Sequence, residues 1–105
     1  GILALTAGSA QAQAIGQIFG KVTDQSGGVM PGVTVTVSGP ALQSPLVAVT
    51  TETGAYQFPS VPIGTFTVTF ELASFKKSVR PNVIITAGFS AQIDQKLELG
   101  QMSEG

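Results

Sequence analysis

Residues 51–70, TETGAYQFPSVPIGTFTVTF, constrain the fold more than any other stretch. Thr53-Gly54 supplies a tight turn, because glycine takes a positive φ without steric cost. Beyond it, Tyr56 and Phe58 alternate with Gln57. After a Pro62-Ile63-Gly64 corner, Phe66, Val68 and Phe70 alternate with Thr67 and Thr69. Strict alternation is the mark of a half-buried strand, since successive side chains point to opposite faces. The expectation is one apolar face carrying five large side chains, covered by a second sheet. Val61 and Ile63 are expected to cap that core.

The rest of the chain repeats the pattern. Ile18 to Thr23 reads as the first strand, followed by turns at residues 24–28 and at Pro31-Gly32. Val33, Val35 and Val37 alternate with Thr34 and Thr36. Residues 38–45 read as loop, and Leu46 to Thr51 as a strand. Residues 75–80 form a short basic strand that Pro81 ends, and residues 83–86 are apolar. In the last strand, residues 89–99, the expected inward positions are Phe89, Ala91, Ile93, Leu97 and Leu99, with Gln95 at a bulge or sheet rim. No stretch has helical period, and strands recur every 8–12 residues between Gly and Pro. The reading is an all-β antiparallel sandwich of about seven strands.

Composition removes most chemistry. The chain has 105 residues, no Cys and no His, so it lacks a disulfide, a thiolate and the commonest general base and metal ligand. No catalytic residue, metal site or cofactor is expected. Net charge is −1, which gives no electrostatic case for nucleic acid. Charged residues make up 10%, against about 25% in a typical soluble domain. Outward positions carry Thr, Ser, Gln and Ala instead, so charge repulsion between copies is weak. The outward hydroxyls are candidate sites for O-glycans.

Residues 1–14, GILALTAGSAQAQA, stand apart from residues 15–100 and from the polar tail 101–105. The apolar run and the small-x-small pattern around Ala10, Ala12 and Ala14 fit the end of a secretory leader. The segment is too short for a membrane span, which needs about 20 apolar residues. Ser9 to Ala14 also alternates, and Leu3, Leu5 and Ala7 share a face in extended chain. The second reading is therefore an extra strand, donated through Ile2, Leu3, Leu5, Ala7, Ala10, Ala12 and Ala14 to the sheet edge of another copy. Either reading implies export. Lys76, Lys77 and Arg80 are expected to protect a sheet edge or to form a docking patch.

Residues 18–100 resemble the carboxypeptidase regulatory-like domain. The resemblance rests on Gly20, Val22 and Asp24, the corner from Ser26 to Val35, TETGAYQF, VPIGTFTVTF and the closing LELG. It implies a transthyretin-like Greek-key β-sandwich and a non-catalytic module. Such modules occur beside peptidases, in surface proteins, and at the start of some TonB-dependent outer-membrane receptors, whose exit the run LELGQMSE resembles. The fold also hosts a hydrolase that depends on histidine, which this chain lacks. Some related surface domains cross-link a Lys to an Asn or Asp beside a Glu. Here Lys21, Glu71 and Asp94 invite the comparison, but alternation turns all three outward. Asp24 in its Gly-rich turn is expected to hold the turn rather than a metal ion. Two functions follow as expectations. One is a structural subunit polymerising head to tail into an extracellular, pilus-like helical fibre of copies of itself. The alternative is the N-terminal accessory domain of a TonB-dependent receptor or surface enzyme.

Overall fold

The structure, a computed structural model, describes residues 15–100. Eight strands run β1 (Ile15–Thr23), β2 (Thr34–Ser38), β3 (Leu46–Val49), β4 (Ala55–Pro62), β5 (Gly64–Glu71), β6 (Ser78–Ile85), β7 (Ser90–Gln92) and β8 (Gln95–Lys96). They form two sheets. One has the order β4-β1-β7, with β8 also beside β1; the other is β3-β2-β5-β6. The inward residues of both sheets make one core, from Ile18 and Val22 through Val35, Val37, Phe58, Phe66, Val68 and Phe70 to Leu97.

The stretch at residues 51–70 does more than supply one face. Its Pro62-Ile63-Gly64 corner carries the chain from one sheet to the other, so β4 and β5 face each other across the core. Tyr56 meets Phe70 edge to face, with ring centroids 5.7 Å apart. That geometry suits the ring quadrupoles. Gly64 sits at the crossing with φ 149°, and Gly54 turns with φ 79°, both in the region that favours glycine. Val61 is fully buried as expected, but Ile63 lies at the apex of the crossing and is exposed.

The sandwich is not wholly antiparallel. β1 pairs β4 antiparallel but runs parallel to β7 and β8. The connection explains this. β6 ends in the second sheet, and a turn at Ala87-Gly88 drops the chain to the edge of the first, next to Ile15. There Gly88 N–H bonds the Ile15 carbonyl and Gln17 N–H bonds that of Phe89. The last strand therefore enters at the start of β1 and runs alongside it, as a crossover between sheets allows and a hairpin does not.

The predicted last strand is broken. β7 stops at Gln92, and β8 begins at the residue expected at a bulge, Gln95. Ala91, Ile93 and Leu97 are buried, whereas Phe89, in the turn before β7, and Leu99, in an isolated bridge to Phe75 after β8, are exposed. Nor does Pro81 end a strand. β6 runs through it, with an irregular register opposite Phe66 and Val68 and a positive φ at Asn82. β6 is an edge strand, where a missing N–H is tolerated. Among buried residues, Thr50 is polar but satisfied. Its hydroxyl donates to the Met30 carbonyl at 2.6 Å and accepts the Val33 N–H at 2.9 Å.

Candidate assembly surface

The outer face of the second sheet follows from its register. Thr36 stands opposite Val47 on one side and Thr69 on the other; Thr69 in turn stands opposite Val79. Thr34 lies between Val49 and Glu71, Ser38 opposite Thr67, and Thr65 opposite Ile84. The result is a threonine-rich strip with aliphatic margins. Val47 is 61% exposed, Val49 57% and Ile84 62%. The strip's own strands bring one charge to this face, Glu71, which pairs with Lys77 at 3.7 Å. Hydroxyls and aliphatics without charge offer little to repel an approaching uncharged chain.

The first sheet presents a different outer face. Gln17, Phe19 and Lys21 of β1, Gln57 of β4, and Ser90 and Gln92 of β7 line a shallow groove of about 700 Å³. Here Lys21 and Asp94 do come together, through the Lys21 main-chain N–H and an Asp94 carboxylate oxygen at 2.9 Å. Glu71 belongs to the other sheet, so the three residues of a cross-linking site are not assembled. Tyr56 reaches from the core to donate its hydroxyl to the Ile93 carbonyl. Burial first, and the Asp94 carboxylate second, push its phenol far above the ordinary tyrosine range.

The basic residues are spread along the far edge. Lys76 faces Glu98 at 3.5 Å. Arg80 reaches from β6 across to the other sheet, donating to the Gln95 side chain at 2.9 Å and to the Asp94 carbonyl at 3.1 Å. Arg80 thus covers the break between β7 and β8. The residues of the expected donor strand, Ile2, Leu3, Leu5, Ala7, Ala10, Ala12 and Ala14, lie outside the described residues. Among the described residues no three His, Cys, Asp or Glu side chains gather as a metal site. Among them, too, no helix is long and apolar enough to cross a membrane, which says nothing of a β-barrel.

Asp24 holds its turn as expected. Its carboxylate accepts the N–H groups of Ser26 and Gly28 at 2.9 Å each and the Ser26 hydroxyl at 2.7 Å. The Ser26 hydroxyl first, then the main-chain N–H groups, hold its carboxyl below the ordinary 3.8. A lowered folded-state pKa contributes stability that is present above the unfolded value and lost as pH falls through the folded pKa. In melting curves from pH 7 to pH 2, the wild type should therefore lose more stability on acidification than Asp24→Ala. Equal slopes would exclude this role.

Comparison with known proteins adds to the geometry. A sequence profile of the carboxypeptidase regulatory-like domain matches residues 17–98. The chain belongs to this family. No curated protein matches it in sequence. Among solved structures, this carboxypeptidase regulatory-like domain is similar to the Bacillus anthracis TIE protein, with TM-score 0.71, 20% identity, and coverage of 83% of this chain and 17% of that one. It is also similar to a candidate carbohydrate-binding protein of Bacteroides uniformis (TM-score 0.63, 22% identity, 78% and 40% coverage). A third is GBS52, the minor pilin of Streptococcus agalactiae, with TM-score 0.64, 9% identity, and coverage of 88% and 48%. At these identities the likeness is one of fold. The chain spans less than two thirds of each of these three.

Neither the exposed valines of β3 nor the seam closed by Arg80 is legible in the sequence. The alternation at Leu46 to Thr51 marks a strand without saying that it lies at an edge. The reach of Arg80 depends on which two sheet edges stack.

Proposed function

We propose that this domain is a non-catalytic structural module of an exported surface protein, working by contact with other polypeptide rather than by chemistry. The carrying observation is the outer face of the β3-β2-β5-β6 sheet, a charge-poor strip of threonine edged by exposed valine and isoleucine. The lack of His and Cys and the family assignment support the same reading. In its fullest form, the chain is a subunit of an extracellular filament, and residues 2–14 pair with the next copy. A contact that is heterologous and does not close gives a helical fibre. The pilin among the fold neighbours is consistent with this.

Electron microscopy of the purified chain tests it. Fibres are expected from residues 1–105, and a folded monomer after deletion of residues 1–14. Fibres that persist in the deletion, or their absence from the intact chain, would overturn the filament.

A second reading has its own support. The TIE protein and the pilin each carry this fold as a fraction of a longer chain. The closing residues, LELGQMSE, resemble the exit of the domain that opens TonB-dependent receptors. In that setting the same module is the accessory domain of a receptor in the bacterial outer membrane, and residues 1–14 are its leader. Recovery of the mature protein from outer membranes with its N-terminus within residues 11–15 would favour the receptor over the fibre.

A further inference from the structure

We infer that the free edge of β3 accepts an added strand from residues 2–14 of a second copy of this chain. The inference rests on the filament reading and names the surface that reading needs. Among the described residues four strand edges border the two sheets, and three carry proline, charge or a break in register or continuity. β4 has Pro59 and Pro62 and an irregular register with β1. β6 has Pro81, Arg80 and its own register shift. The β7 and β8 edge is short, interrupted and bridged by Arg80. Proline, charge, bulges and brevity are the devices that keep sheets from adding strands. β3, LVAV, is also short, at four residues, but it is continuous and has no proline, charge or register shift.

Its main chain is correspondingly open. Thr50 N–H bonds the Val33 carbonyl at 2.9 Å. Alternation then directs Ala48 and Leu46 to β2 and turns the N–H and carbonyl groups of Val47 and Val49 outward. β3 pairs with β2 and no other described strand, and no turn or loop hydrogen bond among the described residues reaches Val47 or Val49. An added strand would meet two donors, two acceptors and two exposed valine side chains.

Residues 1–14 contain no charged residue, and Ser9 to Ala14 alternate. Both features suit addition to an uncharged aliphatic edge. The place where this segment joins the sandwich favours a second copy over its own. Ile15 stands opposite Pro62, at the far end of β4 from Ala55. Ala55 in turn bonds Thr51, which follows β3. The eight residues of β4 separate those ends by roughly 25 Å. Ile15 thus stands at the opposite end of β4 from the residues that follow β3.

Sedimentation velocity on the full chain tests this with three variants. Val47→Pro deletes an outward N–H and leaves the β2 ladder intact, while Val49→Lys places a charge on the edge. Each should weaken association about tenfold or more. Ser60→Lys, an exposed position on the β4 edge of the other sheet, should leave it unchanged. Melting temperatures report whether each variant is folded. If deletion of residues 1–14 abolishes association but neither β3 variant affects it, the β3 site is wrong and the filament stands. If the intact chain stays monomeric at all concentrations, both fall. Association lost equally in Ser60→Lys would also overturn the site.

Discussion

Replacing Phe70 with alanine is expected to destabilise the domain by about 3–5 kcal/mol, the upper range for truncating a core side chain. Phe70 is fully buried in the middle of the core, on β5 opposite Val35 of β2. Its ring stands edge to face against Tyr56 of the opposite sheet, so the substitution also removes the aromatic contact across the sandwich. Neighbours on both sides are fixed in ladders and can close the void only partly, which adds a cavity term to the lost transfer free energy. Against the usual stability of about 5–15 kcal/mol, such a loss approaches unfolding at 37 °C. Urea denaturation followed by circular dichroism measures it. A loss below about 1 kcal/mol would mean the two sheets are not packed through this ring.

The second large effect is expected at Gly20, from sterics rather than from backbone freedom. Gly20 faces inward on β1, where the main chain at Ile93 dips toward the core between β7 and β8. A Cβ at position 20 would lie 2.0 Å from the Ile93 carbonyl oxygen and 2.7 Å from its carbon. Those are backbone atoms and cannot rotate away. Gly20→Val should therefore displace the β7–β8 connection and break the bond from the Tyr56 hydroxyl to Ile93. Overpacking of this kind costs about 1–3 kcal/mol, and a buried carbonyl left unpaired costs about 1–3 kcal/mol more. Tyrosine absorbance offers a specific readout. With Tyr56 partly released, its phenol should titrate closer to the ordinary value than in the wild type. A Gly20→Val protein with wild-type stability and tyrosine titration would contradict the close approach.

Much of this architecture is legible in the residues. Alternation places Val33, Val35, Val37, Phe66, Val68 and Phe70 inward, and all are buried. Asp24 reads as a turn anchor because its side chain can bond N–H groups two residues on, and it does. The differences share one cause: periodicity describes a strand without its neighbours. It assigns Tyr56 and Phe66 to one face, though the corner between them places them in opposing sheets. It carries Phe89 and Leu99 inward by extending a pattern past the ends of β7 and β8. It cannot give the parallel pairing of β1 with β7, which is decided by where the Ala87-Gly88 turn delivers the chain. The candidate surface is harder to read than the core. Exposure of Val47 and Val49 follows from the edge position of β3, a property of the sheet rather than of LVAV.

Amide hydrogen exchange at Val47 and Val49 tests most directly whether copies of this chain join at the open edge of β3. In dilute solution both amides should exchange at the rate of unpaired main chain, while Ala48, bonded to β2, stays protected. As concentration rises they should become protected in step with assembly, and deletion of residues 1–14 should abolish that protection. Amides that exchange freely in the assembled material would contradict a junction at β3, as would protection that is already complete in the dilute monomer.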